Sequence, residues 1–200
     1  MGKIIASVSL TVDGVLSGPQ GDEENMISWA MAGVQETAIE NLVLFQKADA
    51  ILMGRVTYEG FAGFWPTQEG DWADAMNKKK KYVASRSGKL KQMGWGRYVD
   101  TIELIDGDLE QRVKDLKKEI KGDILIPASS KLVQSLLNAD LIDEFHIIAH
   151  PVILGSGKHY LKDIKTRDDL RVMYTKFYEQ SGCMLFHYEV IRGVNGKGNT

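Results

Sequence analysis

Apolar residues run in short blocks enriched in Val and Ile, and these alternate with stretches in which they recur every three or four positions. That alternation predicts an α/β protein, a sheet covered by helices. Lys3 to Leu10 reads as the first strand. From Glu36 to Gln46 the residues Ile39, Leu42, Val43 and Phe45 are at helical spacing, and the run Ala50 to Met53 ends at Gly54, so a helix leads into a buried strand. Thr57 to Trp65 sets Tyr58, Phe61, Phe64 and Trp65 on one helical face as core residues, with Thr57 placed to cap it and Pro66 to end it.

Tyr82 to Ala84 is a further strand core, and Asp108 to Lys121 is the clearest amphipathic helix, with Leu109, Val113, Leu116 and Ile120 separated by charges and Gly122 as its stop. Asp123 to Ile126 reads as strand, Pro127 to Ser130 as turn, Lys131 to Asn138 as helix and Phe145 to Ala149 as strand. Two β-rich runs, Arg171 to Glu179 and Cys183 to Ile191, flank Gln180-Ser181-Gly182 and predict a terminal hairpin. Residues 193–200 carry no apolar period and are expected to be a flexible tail behind one domain over 1–192.

The charge changes the picture little but excludes some partners. With 25 Lys and Arg against 27 Asp and Glu, net −2, the chain lacks the basic surface that a nucleic-acid backbone demands. No apolar run approaches the ~20 residues that cross a bilayer. A single cysteine, Cys183, rules out a disulfide framework within the chain and points to a reducing compartment. A cytoplasmic protein with a small-molecule partner, no nucleic acid and no membrane is therefore expected.

Three strand ends carry residues suited to phosphate. At Gly54-Arg55-Val56-Thr57 a strand gives way to a helix, whose first N–H groups are free for an anion. Val83-Ala84-Ser85-Arg86 runs from a strand into a hydroxyl and a guanidinium. Pro127-Ala128-Ser129-Ser130 puts two hydroxyls where a helix begins. Taken singly, Ser129 or Ser130 reads more readily as a helix cap and Arg86 as solvated surface. In an open α/β sheet ligands settle outside the carboxyl ends of the strands, where all three turns can meet one elongated phosphorylated ligand.

Other features read as structural. His146 and His150 share a strand pattern that would hold them roughly 13 Å apart, so no metal is expected there and both are taken as structural or surface residues. Lys78 to Lys81 reads as the solvated end of a short helix, Gly155-Ser156-Gly157 as a turn, and Cys183 as a strand residue without a base partner.

The segment Asp49 to Glu59, DAILMGRVTYE, resembles the signature shared by dihydrofolate reductase and the reductase domain of bacterial riboflavin biosynthesis. Ser9 to Gly14, Tyr82 to Arg86 and Leu137 to Gly157 resemble it too, in the same order along nearly the whole chain. The resemblance is greatest to stand-alone relatives of that riboflavin reductase domain. It implies a three-layer α/β/α dihydrofolate reductase-like fold with a central mixed sheet and a C-terminal hairpin, a homodimer, and NADPH as cofactor.

On that resemblance Gly54, Arg55, Thr57, Ala128, Ser129 and Ser130 hold the pyrophosphate, and Ser85 and Arg86 the phosphate of the adenosine ribose. Asp13, in an Asp13-Gly14 turn, is the candidate catalytic and substrate-binding residue, and Trp29, in the stretch 25–33, the candidate to stack on a flat substrate ring. Asp-Gly is also a common turn pair, so Asp13 has a purely structural reading as well. Two departures stand out. Ala128 replaces the family's glycine, which leaves open an NADP-binding or cofactor-free, non-catalytic protein of the same fold. Asn41, or Glu40 if the alignment slips by one, stands where dihydrofolate reductase carries its pterin-binding carboxylate, which makes folate reduction the lesser alternative. The implied function is NADPH-dependent hydride transfer to a small, pyrimidine- or pterin-like substrate.

Overall fold

The computed structural model describes residues 2–19, 28–90, 94–165 and 167–192. The tail expected at 193–200, and residues 25–27 of the stretch ahead of Trp29, lie outside them. Ten strands and five α-helices are present among the described residues: β1 (Ile4–Thr11), β2 (Val15–Ser17), α1 (Met31–Lys47), β3 (Ala50–Gly54), α2 (Arg55–Ala62), α3 (Asp71–Asn77), β4 (Lys80–Ala84), β5 (Ile102–Ile105), α4 (Leu109–Glu119), β6 (Ile124–Pro127), α5 (Ser130–Leu137), β7 (Glu144–His150), β8 (Lys158–His159), β9 (Asp169–Phe177) and β10 (Met184–Ile191).

Eight strands form one sheet in the order β5-β4-β3-β6-β1-β7-β10-β9. The first six are parallel, and β10 runs antiparallel to both β7 and β9. The central strands are apolar on both sides because both sides are covered. Ile4, Ala6, Leu52, Tyr82, Ile124 and Ile126 pack in one cluster with Val113 and Leu116 of α4 and Leu132, Val133 and Leu136 of α5. Their neighbours Ile5, Ile51, Met53, Val83 and Leu125 face the other way, onto Phe45 of α1, Tyr58 of α2 and Met76 of α3. This is the expected α/β/α arrangement with a mixed sheet and a C-terminal hairpin.

Most predicted elements recur within one to three residues, and four expectations need correction. The first concerns α1, which starts at Met31 and buries Gly33, Thr37 and Phe45 while Ile39 stands 70% exposed, so the buried face is partly one of small residues. Second, Thr57 does not cap its helix: α2 begins at Arg55 behind Gly54, and Trp65 lies beyond its end, in a single 3-10 turn, only half-buried.

Third, only Lys78 of the lysine run is the solvated end of a short helix, as the exposed C-cap of α3. Lys80 and Lys81 belong to β4, and the fully buried Lys81 ammonium donates to the carbonyls of Asn77 and Lys79 and to Thr101 Oγ1 while lying 4.7 Å from the Trp95 ring. Fourth, Cys183 does have a base beside it. The antiparallel register that sets Met184 opposite Ala149 brings Cys183 Sγ to 3.3 Å from His150 Nδ1, in the interior. His146 and His150 are both buried on β7, so of the two readings the structural one applies. Among the described residues no group of His, Cys, Asp or Glu is placed to hold a metal, and no helix is long and apolar enough to cross a membrane.

Candidate active site

The parallel strands β4, β3, β6 and β1 are neighbours, so their carboxyl ends form one continuous rim. Gly54 lies in register with Ala84, and Pro127 with Ser7. All three predicted phosphate turns therefore leave the sheet from the same edge. The turns after β3 and β6 are joined by side chains: Ser129 Oγ accepts from Gly54 N at 3.1 Å and donates to Thr57 Oγ1 at 3.0 Å. Helices α2 and α5 begin there, and the positive ends of both dipoles face the rim.

The backbone at the start of α5 is unusual. Ala128 and Ser129 both adopt left-handed conformations, with φ of +50° and +49°. Few side chains accept that region, so Ala128 keeps the backbone a glycine would take while carrying a Cβ. Its N–H is fixed by Ser7 O at 2.9 Å. Ser130 Oγ is buried without a hydrogen-bond partner. At Gly54 an added Cβ would meet nothing nearer than 3.8 Å, leaving room for a ligand to approach the main chain. These features fit a pyrophosphate group: open backbone, two helix N-termini and an unmatched hydroxyl.

The remaining predicted cofactor residues lie on the same rim in different states. Arg55 is held by Glu59, one turn along α2, at 2.8 Å, which leaves part of its guanidinium fork free. Ser85 Oγ donates to Lys89 O at 2.8 Å and so shapes the turn that exposes Arg86.

Beside the rim, between β1, α1 and the segment from Phe61 to Met76, lies a cavity of ≈ 630 Å³. Ser7, Ser9 and Ala128 form its sheet side, Trp29, Thr37 and Asn41 the α1 side, and Phe61, Trp65, Gln68 and Trp72 the far wall. Trp29 is where the sequence places it, edge-on to the buried His150 ring at 5.2 Å. Trp65 belongs to this wall, stacked on Trp72 at 6.2 Å, and also packs against the core beneath α1.

Asp13 is not part of the cavity wall. Its carboxylate accepts from Thr11 Oγ1 at 2.6 Å and Gly155 N at 2.7 Å, so it ties the turn after β1 to the loop after β7. Those hydrogen bonds, the Thr11 hydroxyl first, hold its carboxyl below the usual range. An ionised, fully engaged carboxylate has no proton to give near neutral pH. This is the turn-forming arrangement that an Asp-Gly pair also predicts.

Helix α1 settles the other ambiguity. Asn41 lines the cavity and its Oδ1 is buried without a partner, whereas Glu40 forms an ion pair with Lys176 of β9. The position facing the cavity is an amide.

A model of the RibD C-terminal domain matches residues 2–182. The chain belongs to the RibD C-terminal domain family. Within and around that family it is 25% identical over 192 residues to the Uncharacterized protein YyaP of Bacillus subtilis (strain 168), with 93% of this chain and 94% of that protein covered. It shares its fold with a "Putative riboflavin biosynthesis protein" from Shewanella sp. PV-4, at a TM-score of 0.74 and 20% identity over 95% of this chain and 99% of that one. A diaminohydroxyphosphoribosylaminopyrimidine deaminase/5-amino-6-(5-phosphoribosylamino)uracil reductase from Thermotoga maritima has the same fold, at a TM-score of 0.65 and 15% identity, over 95% of this chain and 57% of that one.

The sequence motifs reached the rim but missed most of the cavity. Phe61, Gln68 and Trp72 sit in no motif; Trp29, Asn41 and Ala128 are the lining residues that the resemblance marks.

Proposed function

We propose that this member of the RibD C-terminal domain family is an NADPH-dependent reductase of a small, flat, pyrimidine-like ring. The observation that carries the reading is the meeting of three phosphate-suited turns on one sheet edge, directly beside a cavity of ring-binding size. When bound, the dinucleotide supplies the hydride; the protein's part is binding, orientation and exclusion of water.

In this reading Gly54, Thr57, Ser129 and Ser130 hold the pyrophosphate at the mouths of α2 and α5, with Arg55 adding a charge. Ser85 positions the turn from which Arg86 reaches the ribose phosphate. Ser7 and Ala128, at the junction of rim and cavity, border the place where nicotinamide and substrate meet. Trp29 covers the substrate ring and Asn41 hydrogen-bonds its edge. The amide at Asn41, with Glu40 tied to Lys176, supports a substrate other than a pterin that needs an ion pair.

Calorimetric titration with NADPH tests this. Saturable binding is expected, and Arg86→Ala is expected to weaken NADPH at least tenfold while leaving NADH nearly unchanged. Absence of saturable binding would remove the reductase reading and leave a non-catalytic protein, the alternative that the Ala128 side chain favours. The protein is further proposed to be a homodimer through β9, the sheet's edge strand, which exposes Val172, Tyr174 and Phe177. Light scattering should give about twice 22.3 kDa, and a monomer would refute it.

A further inference from the structure

We infer that the cavity takes a planar aromatic or heteroaromatic ring carrying no phosphate or carboxylate. This rests on the site proposed above and narrows its substrate class. One residue in eight of the whole chain is Lys or Arg, yet none of the 43 residues from Ile4 to Gln46 is, and none of the 22 from Val56 to Asn77. Neither stretch contains histidine. Apart from Pro127 and Ala128, every residue lining the cavity comes from these two stretches.

Among the described residues the wall is therefore without a cation. What it offers is flat apolar surface, from Trp29, Phe45, Phe61, Phe64, Trp65 and Trp72. Among the described residues its one ionisable group is the carboxylate of Glu69, and its remaining polar groups are neutral hydroxyls and amides such as Ser9, Thr37, Asn41 and Gln68.

An anionic group drawn into this space would lose its water and find no opposite charge in return. It would also meet the field of Glu69. A flat neutral ring loses little hydration and gains stacking against indole and phenyl faces. Asn41 and Gln68 can match a ring's own donors and acceptors without selecting a charge. The substrate for which the Thermotoga maritima reductase is named carries a phosphoribosyl group. The described residues of this cavity include no cation that would recognise one, so the two proteins are inferred to differ in substrate while sharing a fold.

A matched pair of ligands tests the inference on the full chain, with binding of 1-naphthol and 1-naphthyl phosphate measured by isothermal titration calorimetry, with and without NADPH. The expected result is a Kd for 1-naphthol at least tenfold below that for the phosphate. Phe64→Ala, which alters a half-exposed wall residue, should weaken 1-naphthol severalfold. Gln68→Lys, which adds the missing cation, should narrow the preference at least threefold. Equal or tighter binding of 1-naphthyl phosphate to the unaltered protein, or no binding of 1-naphthol, overturns the inference. If NADPH fails to bind while the naphthol preference holds, the reductase reading fails and the inference about the cavity stands. If NADPH binds and the phosphate is preferred, the reverse is true.

Discussion

Replacing Ala128 by glycine isolates the strain at the start of α5. Ala128 sits at φ +50° with its N–H bound to Ser7 O, so the chain cannot leave the left-handed region without giving up that bond. The left-handed conformation costs a non-glycine residue about 1–2 kcal/mol. Glycine relieves this but loosens the unfolded chain by roughly 0.4–1 kcal/mol. The net expectation for Ala128→Gly is a gain of about 0.8 kcal/mol, within limits of roughly 0 and 1.6. In a chain of this length that raises Tm by about 2–3 °C.

Urea unfolding followed by tryptophan fluorescence measures this directly, and an unchanged slope would place the gain in the folded state. Ser129→Gly is the internal control. It relieves the same kind of backbone strain at φ +49° but removes the Oγ that joins Gly54 N to Thr57 Oγ1, so it is expected to destabilise by about 1 kcal/mol. The same Ala128→Gly change clears a side chain from the rim and should tighten NADPH. Destabilisation by Ala128→Gly, or gains of equal size from both changes, would refute the assignment of left-handed strain at this turn.

Two further outcomes are expected. Gly33→Ala should destabilise by about 1–3 kcal/mol, against the ~1 kcal/mol gain alanine brings to an open helix, because its Cβ would lie 2.5 Å from Cys183 Sγ and 2.9 Å from His150 Cε1. Adding Cys183→Ala should recover part of the loss, and chemical denaturation of the pair that shows no coupling would contradict the close packing of α1. Burial pushes the Lys81 ammonium down to about 7 from its usual 10.5. Between those values the unfolded chain holds a proton that the folded chain has released, so stability rises with pH, by up to about 1.4 kcal/mol per unit. Comparison of wild type with Lys81→Met between pH 7 and 9 should show this slope only in the wild type; parallel curves would mean that the three oxygen acceptors around Lys81 keep it charged.

The sequence by itself determined the elements whose signal is local. Strands buried on both faces read as continuous apolar runs, and α4 reads from the spacing of Leu109, Val113, Leu116 and Ile120 ahead of Gly122, because periodicity and helix stops depend only on near neighbours. The phosphate turns were legible for the same reason, since glycine and hydroxyl residues mark strand ends whatever surrounds them. Their convergence was not. It follows from β4, β3 and β6 lying side by side, a pairing between segments up to 75 residues apart that only the folded sheet fixes.

Tertiary structure also decided how charged and aromatic residues are used. A lysine run looks solvated until Asn77, Lys79 and Thr101 are seen to enclose Lys81, and Cys183 looks solitary until strand register sets it beside His150. Asp13 carries both a turn signal and an implied catalytic role in one dimension; only the folded chain shows its oxygens accepting from the amides of the loop after β7. Trp65 and Trp72 satisfy a hydrophobic pattern either in a core or around a cavity, since the pattern records only that water is unwelcome. Whether another side chain or a ligand fills the space beside them is a property of the whole packed molecule.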